Sequence, residues 1–160
     1  MNRRRLLILV TFGAAAFLWY LFRPERLFVN RTVTEAFPAA AAPGADTAAT
    51  PVLRGAFHSN AHDTKGAAVI YRLADGQLLL RLTGFETSNG PDVQVYLVAA
   101  SDVNDDQTVE RAGFVALGSL KGNIGDQNYA IPSGTDLAKY RAVTIWCRRF
   151  SVNFGTAPLS

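Results

Sequence analysis

The chain predicts an all-β fold, an antiparallel β-sandwich of about seven or eight strands, preceded by one N-terminal transmembrane helix. Three observations carry that expectation. Apolar residues after Val52 recur with period two or in short runs between turn residues. Asp75-Gly76 stands between the apolar runs 67–73 and 77–85, the strongest short-range hairpin signal. Leu6 to Phe22 is an uncharged apolar run of 17 positions, at the short end of what spans a bilayer.

Taken in order, residues 1–5 hold Arg3, Arg4 and Arg5 and read as a cytoplasmic N-terminus, with basic residues on the inner side of the run 6–22. Trp19, Tyr20 and Phe22 suit its outer boundary, where amphipathic rings concentrate. Arg23, Pro24, Glu25 and Arg26 follow directly in place of the small residues a signal peptidase needs, so 6–22 reads as an uncleaved signal anchor. Residues 23–51 read as a juxtamembrane and Ala/Pro-rich linker, since AFPAAAAPGADTAATP over 36–51 offers little for a core. Residues 52–160 are long enough to bury a core of their own. This arrangement places the protein in the cytoplasmic membrane as a single-pass protein, with its C-terminal domain in the periplasm or outside the cell.

Within 52–160, strands are expected near 55–58, 67–73, 77–85, 93–100, 114–120, 128–131, 141–147 and 150–154. In the last, Phe150, Val152 and Phe154 alternate with Ser151 and Asn153, the pattern of one buried and one wet face. Asp136 to Tyr140 can form a single helical turn, and 101–113, with Asp102, Asp105, Asp106 and Glu110, reads as a solvated loop.

The formal net charge of +3 comes wholly from the first 51 residues, which hold six arginines against Glu25, Glu35 and Asp46; residues 52–160 hold ten basic and ten acidic residues. The excess charge therefore lies beside the membrane, and no nucleic-acid face is implied for the domain. There is no Cys-x-x-Cys pair, nucleotide-binding glycine loop or Gly-x-Ser-x-Gly elbow.

Cys147, the single cysteine, closes the run Val143, Thr144, Ile145, Trp146 and precedes Arg148 and Arg149. Strand alternation puts it on the face of Val143 and Ile145, pointing into the core, with Trp146 on the other face. A buried free cysteine behaves as a small hydrophobe, whereas redox or ligand chemistry needs its thiolate. His58 and His62 are the only histidines, too few with Cys147 for a metal set unless folding gathers all three, and no metal site is assigned. The polar stretches 87–92 and 122–128 read as turns that could also hold a polar ligand.

The segments Gly55-Ala56-Phe57, His62 to Thr64 with Gly66 and Ala68, LRLTGFETSNGPDVQVY (80–96), LGSLKGNIGDQNYAIP (117–132) and VTIWCRRFSVNFG (143–155) together resemble the DM-thirteen domain, the electron-transfer domain of Skeletor-like cell-surface proteins. The resemblance spans nearly all of 53–159. It implies a β-sandwich, often membrane-anchored, with a proposed electron-transfer function centred on the cysteine matching Cys147. That cysteine would serve as a free redox thiol or as ligand to a haem-like group, the cofactor's identity being open. His62 lies within the matching motif and becomes the candidate partner of Cys147 in cofactor binding. A redox protein is the implied partner, and a redox or binding module is expected rather than a substrate-turnover enzyme. The alternative is a non-redox envelope interaction or scaffolding module, binding a protein or glycan through the loops around Asn89 and Asn123.

Overall fold

A computed structural model describes residues 2–22, 29–38 and 49–160. Helix α1 (Arg3–Phe22) covers the apolar N-terminal run; among the described residues, no helix is long and apolar enough to cross a membrane. The rest forms two five-stranded sheets packed face to face. In chain order the strands are β1 (Thr32–Thr34), β2 (Thr50–Ala56), β3 (His58–Ser59), β4 (Lys65–Arg72), β5 (Leu78–Glu86), β6 (Val93–Val98), β7 (Phe114–Ser119), β8 (Ile124–Ile131), β9 (Ala142–Cys147) and β10 (Val152–Pro158), with a short helix α2 (Asp106–Ala112) between β6 and β7. The first sheet runs β1-β8-β5-β4-β2 and the second β3-β10-β9-β6-β7. Every pairing is antiparallel except β1 with β8.

The Asp75-Gly76 hairpin forms as expected: Gly76 has φ 83° and Asp75 accepts from the Gln77 amide. Phe85, Ile70, Leu80 and Leu82 from the first sheet meet Val95, Leu97, Val143 and Ile145 from the second in one core. Phe85 packs edge-on against Phe57 at 5.3 Å between ring centroids. The turn at Asp136 closes through the Tyr140 amide donating to the Asp136 carbonyl.

Three sequence expectations are corrected. Segment 101–113 is not a solvated loop, because Asp105 caps α2 by accepting from the Thr108 amide and Gly113 ends it at φ 83°. The helix buries Val109, and with Val103 it covers Tyr96, Ala142 and Trp146. The outer face of the second sheet is consequently dry there: Thr144, Asn153 and Thr156 are buried and bonded to one another. Phe150, expected in the core by alternation, stands 66% exposed in the turn between β9 and β10, because the strand starts only at Val152.

The third departure concerns the linker. Of residues 29–38, which the sequence assigns to the linker, Thr32–Thr34 form the edge strand of the first sheet and Phe37 reaches across it to β4; residues 23–28 and 39–48 of that linker fall outside the described residues. β1 pairs in parallel with Ile124–Asp126, Glu35 forms an ion pair with Lys121 at 2.7 Å, and Phe37 packs edge-on against Tyr71. Two glycines permit this. A Cβ on Gly122 would collide with the Arg31 carbonyl, and one on Gly125 (φ 104°) with that of Val33.

The hydrogen bond from Lys121 holds the Glu35 carboxyl below its ordinary value of 4.5, with the Asn128 amide assisting against partial burial. A depressed carboxylate pKa gives stability that is present above the unfolded value and is lost as pH falls through the folded one. Urea midpoints of the native chain and Glu35→Gln are therefore expected to differ at neutral pH and to converge below about pH 4. A gap that persists at low pH would contradict the charge assignment.

Candidate functional site: a thiol behind a polar cleft

Cys147 is the last residue of β9 and sits directly across from Val93 of β6 and Val152 of β10. Its side chain shares the inner face with Val143 and Ile145, as alternation requires, and is 1% exposed in the main core. Trp146 lies on the opposite face beneath α2. Among the described residues nothing hydrogen-bonds the sulfur. Arg148, the next residue, turns outward and pairs with Asp92 at 2.8 Å.

Val93, the cross-strand neighbour of the thiol, also lines a cleft of about 630 Å³ at this end of the sandwich. The cleft's walls are the loop running into β6, the loop between β7 and β8, and the linker residues Val29, Asn30 and Arg31. The two polar stretches singled out in the sequence thus converge, although about thirty positions separate them. Asn123 joins them: its side-chain amide donates to the Thr87 carbonyl and to Asn30 Oδ1, and its own Oδ1 accepts from the Arg31 amide.

Asn30 also accepts from Asn89. Behind the cleft, buried Gln127 takes hydrogen bonds from the Lys121 and Gly122 amides and the Tyr129 hydroxyl, and returns one to the Gly122 carbonyl. Every polar group of Gln127 is thereby engaged, so it fixes the β7–β8 loop. Burial pushes the Tyr129 phenol up to about 12, so it stays a neutral donor.

The histidines separate. His58 Nε2 lies 2.8 Å from Asp102 Oδ1 near the loop before α2. Burial opposes the Asp102 charge, but bonds from His58, the Val103 amide and Asn104 outweigh it and hold that pKa below its ordinary value. His62 packs its ring on Phe154, 3.8 Å between centroids. Phe154 approaches the cleft loop, since a Cβ on Gly90 would stand 3.0 Å from its ring and 2.6 Å from a Val93 methyl. His62 and Cys147 therefore border one apolar cluster without a hydrogen bond between them. Among the described residues, no group of three or more His, Cys, Asp or Glu side chains is placed to hold a metal ion.

Residues 56–159 match the family described as Electron transfer DM13. The chain belongs to this family. No match to a curated protein or to a solved structure accompanies it. The match begins at Ala56, so the linker residues on the cleft and β1 lie outside the matched DM13 residues. The arrangement does not fit a haem-like group held by Cys147 of this DM13 domain: the residue is 1% exposed among packed apolar side chains and is not among those lining the cleft.

Sequence reasoning identified Cys147, its face and both polar loops. It missed Asn30 and Arg31 of the linker and the bracing role of Gln127. Asn30 and Arg31 sit in a segment whose composition reads as linker, and Gln127 is polar in a stretch read as a turn.

Proposed function

We propose that this DM13 domain takes part in electron transfer as a membrane-tethered, extracytoplasmic module, with Cys147 as a free redox thiol reached through the cleft. The observation that carries the reading is the register of Cys147 opposite Val93 within a chain of the electron-transfer family. Val93, the cross-strand neighbour of Cys147, lines the cleft, and Cys147 does not. Movement of loop 88–92, held through Asn89–Asn30 and Asp92–Arg148 contacts, would admit a partner. On oxidation, the Cys147 thiol gives its proton to water and its thiolate attacks a disulfide of the partner: the partner's S–S bond breaks as the mixed disulfide forms, and the departing partner sulfur leaves as a thiolate carrying the two electrons.

Residues 6–22 serve as the anchor in this reading. Over its described residues α1 falls short of a membrane span, but the sequence run also contains Leu6, Leu7, Leu18 and Leu21. Three arginines precede the run, which orients the domain to the periplasm or cell exterior.

The near-complete burial of Cys147 favours a second reading, an envelope interaction module in which the cysteine only packs. Voltammetry of the full chain in nanodiscs with oxidised glutathione as the partner disulfide, beside Cys147→Ser and with glutathione alone as the baseline, separates the two. A couple lost in the variant is expected. A couple retained in Cys147→Ser would move electron transfer off the cysteine, and no couple in either would leave the interaction module. Absorption spectra after adding haem complete the test: a Soret-type band lost in Cys147→Ser would reinstate ligation and contradict the free thiol.

A further inference from the structure

The turn between β9 and β10 places an aromatic in water. Phe150 is 66% exposed, flanked by exposed Arg148 and Arg149, and no acid occurs from 147 to 158. The turn is held in shape: Ser151 adopts φ 51°, and the Phe150 amide donates to the Cys147 carbonyl. An exposed ring with adjacent guanidiniums is tolerated on a solvated loop and is favourable at a bilayer interface, where aromatic rings and arginine stems gather.

The path of the tether supplies the second observation. The chain from α1 arrives at Val29 and Asn30, and Asn30 bonds Asn89 on loop 88–92. The same loop holds the turn through the Arg148 amide, which donates to the Asp92 carbonyl, and through the Arg148–Asp92 ion pair. Tether and turn therefore leave the sandwich at one end. Seven peptide units join Phe22 to Val29, a reach of at most about 25 Å. Val29 is itself 63% exposed.

We infer that the Arg148-Arg149-Phe150 turn is a second membrane contact, seating Phe150 at the interface of the bilayer that holds α1 and setting Arg149 against anionic lipid headgroups. Among the acids nearest the turn, Asp92 is paired with Arg148, and Asp106 accepts from the Asn153 amide. This contact would fix the cleft end of the domain toward the membrane surface. It rests on the reading of 6–22 as an anchor.

The test uses tryptophan quenching by brominated acyl chains in full-length protein, reconstituted into phosphatidylcholine nanodiscs with and without phosphatidylglycerol. Trp19 reports the anchor, and buried Trp146 is a constant background. Quenching in the native chain that disappears in Trp19→Phe establishes insertion. The double variant Trp19→Phe, Phe150→Trp is expected to regain quenching. Adding Arg149→Glu should cut the regained signal roughly fivefold or more in the anionic discs, the scale of one basic residue near such a surface. Quenching in the native chain without recovery in the double variant would overturn the second contact and leave the anchor intact. No quenching in any chain would overturn both. Recovery that is equal in both lipids and unmoved by Arg149→Glu would overturn the headgroup assignment.

Discussion

Phe85→Ala is expected to lower the unfolding free energy by about 3–5 kcal/mol, and the midpoint of thermal unfolding by about 15 °C or more. Phe85 is 1% exposed, bridges the two sheets and gives its ring edge to Phe57. Truncation removes the buried ring and leaves a cavity whose lining strands are held by their ladders and cannot collapse onto it. Phe150→Ala removes the same atoms from water and should move stability by less than about 0.5 kcal/mol. Thermal unfolding of both full-length variants in one detergent checks the contrast, and similar losses would mean that Phe150 is packed.

The second large effect is expected at Gly125. Gly125→Ala forces a side chain into φ 104°, a strain of about 1–3 kcal/mol, and drives its methyl into the Val33 backbone. β1 should leave the sheet edge, carrying with it the hydrogen bonds of Asn30 and Arg31 to Asn123. Amide exchange at Glu35, which donates to the Asp126 carbonyl, and at Ile124, which donates to Arg31, should rise to solvent-like rates. Exchange at Leu80 and Val95 should stay slow. Gly122→Ala, where no positive φ intervenes, should produce the same release with less loss of global stability. Protection retained at Glu35 in both variants would mean that β1 docks without the glycines.

Local periodicity made much of this architecture legible. The inward face of Cys147, the outward face of Trp146 and the hairpin at Asp75-Gly76 follow from alternation and turn chemistry within a few residues. Alternation failed at Phe150 because period two cannot tell a strand from the turn that feeds it, and Ser151 breaks the strand with a left-handed φ. Helix α2 was legible in principle: Asp105 at its cap and Gly113 at its end are the expected signals, but the acids around them read as a solvated loop.

β1 was not legible, since three residues pairing in parallel with a strand some ninety positions away leave no local mark. The cleft depends in the same way on long-range pairing, which joins Thr87 to Asn123 and Asn89 to Asn30. The candidate residue was therefore readable from sequence, and its accessibility was not.

That accessibility is the central proposal: Cys147, 1% exposed and paired across the ladder with Val93, would open locally through the cleft loop. The most direct measurement is the rate at which a thiol reagent modifies Cys147 in the folded full chain, set against the rate of global unfolding and repeated in Val93→Ala. Modification faster than unfolding in the native chain, and accelerated at least about tenfold in Val93→Ala beyond what its lost stability explains, is the result expected of a local opening. Modification that tracks global unfolding in both chains would contradict the account and leave Cys147 as a packing residue.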